Sequence, residues 1–152
     1  MKFLIQRVKS ASVSVDFDEI GRIDEGCLVF VGVSENDSEA IADRMIDKLV
    51  KLRIFEDEQG KTNLSISDAG GKYLIVSQFT LYADVKKCNR PSFVSAGNPA
   101  LAEKLYDYVI STLRDKGFEV EHGSFGADMK VSLVNDGPFT IIMDSDELWP
   151  GR

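Results

Sequence analysis

The spacing of apolar and polar residues along the chain predicts more strands than helices. Nine segments have the short, alternating or β-branched character of strands: residues 2–8, 11–17, 20–23, 27–33, 53–55, 73–76, 118–121, 130–134 and 139–143. The run 27–33 is apolar throughout, which favours a strand covered on both of its faces.

Two further segments have the period of amphipathic helices. The first follows Asn36 or Asp37 as its N-cap, and its apolar residues recur at helical spacing: Ile41, Met45, Leu49 and Leu52. The second opens with Asn98 as N-cap and Pro99 at the first helical position, and Gly117 can end it. Its buried face is predicted to hold Leu101, Leu105, Tyr108, Val109 and Leu113. Because strands and helices do not alternate strictly, we expect two sheets with a pair of helices on one face, and not a Rossmann-type fold.

Length and composition narrow the class of protein. The chain has 152 residues, which suits one domain, and a formal net charge of −7. An acidic chain is a poor general binder of nucleic acid, although Lys86, Lys87 and Arg90 form a local basic cluster. No apolar run is long enough for a membrane span, and the N-terminal segment turns polar too early for a signal peptide. A cytoplasmic protein with no membrane contact is therefore the expectation.

Cysteine and histidine are scarce. The two cysteines do not make a disulfide framework, and Cys27 is predicted to be a small buried hydrophobe because it lies in an apolar run. With one histidine, His122, and no paired spacing of metal ligands, the sequence predicts no metal site and no cofactor.

The most informative stretch runs from residue 73 to residue 82. An apolar strand is followed by Ser77, Gln78, Phe79 and Thr80, and continued alternation places Gln78, Thr80 and Tyr82 on one face. Polar side chains at the end of a rigid strand suggest a hydrogen-bonding site. The alternative is a strand whose polar residues simply face water.

A second informative stretch surrounds Asn135, Asp136, Gly137 and Pro138. These residue types favour a hairpin turn. A proline in a strand region, however, needs an edge or a bulge, and a Gly-Pro bond can be cis, which would aim neighbouring carbonyl oxygens in nearly the same direction.

Together these stretches resemble the D-aminoacyl-tRNA deacylase family. The resemblance rests on an S-Q-x-T motif, an N-x-G-P-x-T motif and flanking matches in the same order: Gln6-Arg7-Val8, Ser77-Gln78-Phe79-Thr80-Leu81, Arg90-Pro91-Ser92-Phe93, Phe125-Gly126-Ala127-Asp128-Met129 and Asn135-Asp136-Gly137-Pro138-Phe139-Thr140. It spans residues 1–145 and leaves 146–152 as a C-terminal tail, whose Trp149 either packs on a dimer or is disordered. Cys88 departs from the pattern of the family, in which a glycine is expected at this place in the basic loop.

The resemblance implies a three-layer α/β/β domain with two mainly antiparallel sheets and two main helices. It also implies a homodimer with active sites at the subunit interface, which hydrolyses the ester of D-aminoacyl-tRNA and of glycyl-tRNA at the 3′ end. On this basis Ser77, Gln78, Phe79 and Thr80 carry the catalysis, with backbone N–H groups around Gln78 and Phe79 stabilising an oxyanion.

The remaining expected roles concern the substrate. Gly137 and Pro138, in the partner's site, hold the amino group and exclude an L side chain, with Asn135 in the same motif. Arg7 braces this loop, and Phe125 and Met129 line an adenosine pocket. The resemblance also implies that the terminal 2′-hydroxyl of the tRNA, and not a side-chain base, assists the hydrolysis. Two other hypotheses stay open, a general serine esterase using Ser77 with His122 and a non-catalytic dimeric module that binds tRNA ends.

Overall fold

The computed structural model describes residues 1–87 and 89–151, so Cys88 and the end of the tail lie outside the described residues. The strands are β1 (Lys2–Val15), β2 (Asp18–Ile23), β3 (Gly26–Gly32), β4 (Arg53–Glu56), β5 (Thr62–Ser65), β6 (Lys72–Ser77), β7 (Val120–His122) and β8 (Met129–Asp144). The α-helices are α1 (Glu39–Leu49), α2 (Ile66–Ala69), α3 (Pro99–Asp115) and α4 (Ser145–Leu148), and a 3₁₀ helix spans Phe79–Tyr82.

Six of the strands form one sheet that folds over on itself. Its order is β2-β1-β3-β6-β7, with β8 paired to β1, while β4 and β5 form a separate two-stranded sheet. The first half of β1 pairs with β3, its second half pairs with β2, and β8 runs beside both halves. The β3–β6 and β6–β7 pairs are parallel, and all other pairs between these strands are antiparallel.

Alternate residues of the central strands face two different apolar clusters. Cys27, Val29 and Ile75 pack toward α1 and α3, whereas Leu28 and Leu74 pack against β2, the second half of β1 and the start of β8. The layers are therefore helices, central strands and a second β layer, which confirms the predicted three-layer α/β class. The predicted coverage of residues 27–33 on both faces is also confirmed, and burial raises the pKa of the Cys27 thiol to about 12.

The sequence divided two long strands that the structure joins. Residues 2–8 and 11–17 were predicted as separate strands, but β1 continues to Val15 because β8 supports it along its length, and the turn then begins at Asp16. Residues 130–134 and 139–143 likewise belong to one strand, β8. The segment that forms β5 and α2 was not predicted.

The largest correction falls directly after β6. Residues 78–82 were predicted to continue the strand, but residues Phe79–Tyr82 form a 3₁₀ helix. Its Tyr82 is buried and its Phe79 is 58% exposed, which reverses the expectation that Tyr82 shares a face with Gln78 and Thr80. The alternation in the sequence arose from a short helical turn with one buried aromatic ring.

The two main helices are where the sequence placed them. Asn98 caps α3, since its Oδ1 accepts the N–H of Leu101 at 3.0 Å, and Pro99 is the first helical residue. The N-cap of α1 is Ser38, because the Asp37 carboxylate binds the Met1 ammonium at 2.6 Å instead. Leu52, predicted on this helix, lies after its end at Leu49.

The C-terminal segment packs on the domain. The backbone N–H of Ser145 donates to Met1 O at 2.9 Å, and Trp149 packs against the helical side of the core with the Arg44 guanidinium 4.0 Å from its ring. Trp149 therefore packs against its own chain, whereas the sequence left packing on a dimer and disorder as the two alternatives. None of the helices in the described range has the length and apolar character needed to cross a lipid bilayer.

Candidate active site

A cavity of about 420 Å³ lies where β3 and β6 end, beside the start of α3. The carboxyl ends of adjacent parallel strands are a common place for a ligand, and this volume is in the range of small-molecule sites. The described residues that line it are mainly apolar: Val31, Val33, Ser77, Phe79, Phe93, Ala96, Gly97, Pro99, Ala102, Tyr106, Phe125 and Gly126.

Ser77 and the 3₁₀ helix form one wall of this cavity. Ser77 is the last residue of β6, aligned with Val31 of β3. The N–H of Gln78 then donates to Val31 O at 2.8 Å, which extends the ladder by one bond before the chain turns. The position of the wall is therefore set by the backbone of the central strands.

Gly32 allows the 3₁₀ helix to pack closely on β3. A Cβ atom at Gly32 would lie 3.1 Å from Leu81 Cβ, 3.2 Å from Gln78 O and 3.3 Å from Tyr82 Cε2. Any side chain at this position would push the helix, and with it the cavity wall, away from the strand.

The first turn of the 3₁₀ helix supplies hydrogen-bond donors. The first bond of this helix runs from the Leu81 N–H to Gln78 O at 3.3 Å, so the N–H groups of Phe79 and Thr80 have no carbonyl partner within the helix. The Gln78 N–H, predicted as one of two oxyanion donors, is already bound to Val31 O, and the Gln78 side-chain amide donates to the Thr80 hydroxyl. Phe79, which carries one of these two N–H groups, lines the cavity.

No conventional base accompanies Ser77. The described residues lining the cavity include no carboxylate, histidine, lysine or cysteine. His122 lies on β7, outside the lining, and its Nδ1 is 2.8 Å from Gly123 O. Among the described residues, no group of three or more His, Cys, Asp or Glu is arranged to hold a metal ion.

Tyr106 ties two walls of the cavity together. Its hydroxyl donates to Ile75 O at 2.8 Å and lies 3.2 Å from Gly123 O, and its ring packs on Phe125 with centroids 6.0 Å apart. Burial raises the pKa of Tyr106 above its usual value, so the phenol stays protonated at neutral pH. Phe125 lines the cavity where the sequence placed it.

Met129 lies outside the cavity lining. It pairs with Val15 at the start of β8 and packs against the second apolar cluster. Its Sδ would be 2.5 Å from a Cβ built at Gly123, so Gly123 makes room for the methionine. The structure therefore brings Phe125, but not Met129, to the cavity.

The Gly137-Pro138 motif forms a bulge on β8, a strand at the edge of its sheet. Between the pairs Val8–Asn135 and Gln6–Thr140, β8 has residues 136–139 where β1 has Arg7 alone. The Gly137-Pro138 bond is cis, Gly137 has φ +125°, and both residues are exposed. The motif is thus presented to solvent and is not packed into its own domain.

Asn135 and Arg7 make the hydrogen bonds that hold the bulge. The Asn135 amide donates to Arg7 O at 3.1 Å and Phe139 O at 3.0 Å, and its Oδ1 accepts the Phe139 N–H at 3.2 Å. Arg7 is 5% exposed and donates to Ile54 O at 2.6 Å and to Asp136 O at 3.2 Å. Its guanidinium also lies 5.0 Å from the Phe139 ring centre and 3.3 Å from the Asp136 carboxylate.

Within one protomer the bulge and the cavity are far apart. Along β3, the position beside Arg7 is Cys27 and the position beside Ser77 is Val31, a separation of roughly 13 Å at the usual rise of a strand. From β8 to β6 there are three strand spacings, or roughly 14 Å, at right angles to the first distance. Combined, the two distances place the bulge roughly 20 Å from the cavity wall at Ser77. The structure does not bring the predicted chiral-selection residues to the predicted catalytic residues of the same chain.

The sequence did not single out several residues that line the cavity. Tyr106 and Ala102 belong to α3, whose apolar residues indicated only packing in the core. Gly97 can be recognised only in the structure, where its backbone lies close to β3 and its N–H donates to Val33 O at 2.8 Å. Phe93 belongs to the segment Arg90-Pro91-Ser92-Phe93 that resembles the family. Its ring packs edge-on against that of Phe79, with the ring centroids 5.0 Å apart.

Solved structures define the class of fold. The structure of the c-Myc DNA Unwinding Element Binding Protein is 39% identical to this chain with a TM-score of 0.90, and covers 95% of this chain and 98% of its own. A structure described as a probable eukaryotic D-amino acid tRNA deacylase gives a TM-score of 0.81 at 18% identity, covering 93% of this chain and 97% of its own, which shows the shared fold alone.

Sequence relatives define the family. The family model described as D-Tyr-tRNA(Tyr) deacylase matches residues 4–144. The D-aminoacyl-tRNA deacylase of Lactobacillus acidophilus is 51% identical over 95% of this chain and 99% of its own length. Those of Stutzerimonas stutzeri, at 53% identity over 95% and 100%, and of Clostridioides difficile, at 50% over 97% and 99%, are similar to the same extent. The chain belongs to the D-aminoacyl-tRNA deacylase family, a family of hydrolases.

Proposed function

We propose that the protein hydrolyses the ester bond of D-aminoacyl-tRNA, releasing the free D-amino acid and tRNA as a step of translation quality control in the cytoplasm. Its membership of the family supports this activity. The structural observation that carries the proposal is a cavity of suitable size for a nucleoside with unpaired backbone N–H donors at its wall.

The terminal adenosine of the tRNA occupies the cavity, where Phe125 and Phe79 offer apolar ring surfaces. The ester carbonyl lies against the first turn of the 3₁₀ helix, so the oxyanion that develops during attack accepts the N–H of Phe79. Ser77 and Thr80 help to hold the ester in this position. Gln78 holds the 3₁₀ helix in place through two hydrogen bonds, from its N–H to Val31 O on β3 and from its side-chain amide to the Thr80 hydroxyl.

Water attacks the ester without a protein side chain as base. The cavity lining has no ionised side chain among the described residues, and Tyr106 is protonated and bonded to backbone oxygen. A hydroxyl of the terminal ribose is the remaining group near the reacting carbon, so substrate assistance replaces the usual base. This favours the deacylase over a serine esterase built on Ser77 and His122.

Selectivity for D substrates comes from the partner subunit of a homodimer. The bulge is exposed, lies roughly 20 Å along the sheet from its own cavity, and is held in one shape by Arg7 and Asn135. The exposed side chains of Val134 and Ile142 on the same edge strand supply apolar surface for a second copy. In the dimer, carbonyl oxygens of Gly137 and Pro138 of the partner subunit accept the substrate ammonium, and the wall they form excludes an L side chain but admits D-aminoacyl and glycyl esters.

A single-turnover assay with D-Tyr-tRNA and L-Tyr-tRNA at matched concentration, without added metal, tests the proposal. We expect rapid loss of the D ester with the L ester spared. Equal loss of both would indicate a general esterase. Binding of both without turnover, with glycyl-tRNA also stable, would indicate a binding module, and either result would overturn the proposal.

A further inference from the structure

The sign of the charge reverses beside the cavity. The chain has 25 acidic and 18 basic residues overall, yet residues 85–102 include Lys86, Lys87 and Arg90 and no acidic residue. This segment leads from the 3₁₀ helix to the start of α3 and contains Phe93, Ala96, Gly97, Pro99 and Ala102 of the cavity lining. A segment with three positive charges and no negative charge thus borders the candidate active site of an acidic protein.

The basic residues lie on a loop whose two ends are joined. Asp84 and Ser92 form an isolated antiparallel bridge, with Asp84 N–H donating to Ser92 O at 2.8 Å and Ser92 N–H donating to Asp84 O at 2.9 Å. The Asp84 carboxylate also accepts the N–H of Lys86 at 2.9 Å. The backbone that carries Lys86 is therefore fixed relative to Phe93, the next residue after the bridge.

The side chains of Lys86 and Lys87 form no salt bridge in the described part of the chain, although the Asp84 carboxylate lies beside the backbone of Lys86. Lys86 and Lys87 are exposed and make no ion pair there, whereas Lys2, Lys72 and Lys104 each lie within 3.2 Å of a carboxylate. Arg90 is three residues before Phe93, a distance of at most roughly 11 Å even in extended chain. Long cationic side chains on this loop can therefore reach an anion that follows a ligand out of the cavity.

We propose that Lys86, Lys87 and Arg90, which lie between the bridged residues Asp84 and Ser92, bind phosphodiester groups of the single-stranded tRNA end, immediately 5′ of the nucleoside in the cavity. The inference rests on the proposed function, because it requires the cavity to hold the terminal nucleoside. Phosphate is the ligand that matches three cations at the edge of a nucleoside-sized cavity. The net charge of −7 repels the rest of the nucleic acid, so the contact is local and few phosphates take part.

The test is a double variant, Lys86→Gln with Lys87→Gln, compared with Lys51→Gln and Lys61→Gln. The control removes the same charge from two exposed lysines outside the cavity lining. Two readouts are taken over a range of salt concentrations, the KM for D-Tyr-tRNA and the binding of uncharged tRNA by fluorescence anisotropy.

We expect the loop variant to weaken tRNA binding roughly 2- to 30-fold at low salt, the range for two exposed ion pairs. The slope of log affinity against log salt should fall by about 1.4, since each phosphate contact to a single strand contributes about 0.7. For the wild-type protein, the KM for D-tyrosyl-adenosine, which has no phosphate, should not depend on salt.

The outcomes separate this inference from the proposed function. Equal effects of the loop and control variants would mean that only net charge matters, and an unchanged salt slope in the loop variant would mean that these lysines contact no phosphate. Either overturns the inference while hydrolysis of D-Tyr-tRNA by the wild type stands. Loss of the proposed function would show as a wild-type protein that spares the D ester, and tRNA binding would still test the loop.

Discussion

The cavity wall and the Gly137-Pro138 bulge are held in place by different means. The wall at Ser77 and the 3₁₀ helix is fixed by main-chain bonds to β3 and by close packing on Gly32. The bulge is fixed by two side chains, Arg7 and Asn135, whose groups satisfy its backbone. A site built on the main chain tolerates changes of side chain, whereas a loop held by side chains depends on each of them. Substitutions in the cavity wall and substitutions in the bulge should therefore have different effects on the protein.

The largest effect is expected for Arg7→Ala. The change removes the donor to Ile54 O and Asp136 O and leaves the buried Ile54 carbonyl without this partner. We expect a loss of about 3 kcal/mol in the free energy of unfolding and a collapse of D/L selectivity, because the bulge loses its support. Urea unfolding and paired deacylation assays measure both. As a control, Arg53→Ala removes an exposed arginine that donates to Asn63 O and should cost at most about 1 kcal/mol. A similar cost for both arginines would contradict the role given to Arg7.

Gly137→Ala should come next. Gly137 has φ +125°, where an L side chain is strained, and its Cβ would lie 3.0 Å from Arg7 Nη2. We expect a cost of about 1–3 kcal/mol and a lower D/L ratio of deacylation rates, since the wall moves. An unchanged ratio in a folded Gly137→Ala protein would count against this motif as the chiral wall.

Gly32→Ala tests the other side of the comparison. The methyl group must displace the 3₁₀ helix by a few tenths of an ångström, at a cost of about 1–2 kcal/mol. Because the oxyanion donors move with the helix, we expect the D-Tyr-tRNA rate to fall by more than tenfold while the L ester stays protected. Loss of selectivity at an unchanged rate would show that the wall does not position the ester.

The smallest effect is expected for His122→Ala. His122 lies on β7 outside the cavity lining, and its ring bonds only the neighbouring Gly123 carbonyl among the described residues. The deacylation rate should stay within about twofold of the wild type, in line with a surface substitution away from the site. A fall of a hundredfold or more, together with labelling of Ser77 by a fluorophosphonate, would establish the serine esterase instead.

The sequence was sufficient to predict an element of the fold where local residue types determine it. Asn98 and Pro99 begin α3, and the apolar run at Cys27 forms a strand covered on both faces. It was insufficient where long-range pairing decides the outcome. The sequence predicted a break between residues 8 and 11, but β1 is continuous there because β8 pairs with it. Asp37 was predicted as a possible N-cap of α1, but its carboxylate binds the Met1 ammonium.

The same limit applies to the candidate site. Ser77 and Phe125 reach the cavity because a strand end and a glycine-rich loop are local features. The 3₁₀ helix was missed because short helices lack a period long enough to detect, and the packing of Gly32 that permits it lies more than forty residues earlier in the chain. Met129 was placed by its nearness to Phe125 in sequence, but the start of β8 directs it to the other apolar cluster.

The ladder between β3 and β6 ends with a single bond, from Gln78 N–H to Val31 O, and the next two amides have no helical acceptor. Hydrogen exchange should therefore change abruptly between neighbouring residues, with Gln78 exchanging slowly and Phe79 exchanging fast. Because the proposed oxyanion contact uses the Phe79 amide, its exchange rate reports directly whether the site is occupied. The exchange rate of the Phe79 amide thus gives a local measure of ligand binding that does not depend on turnover.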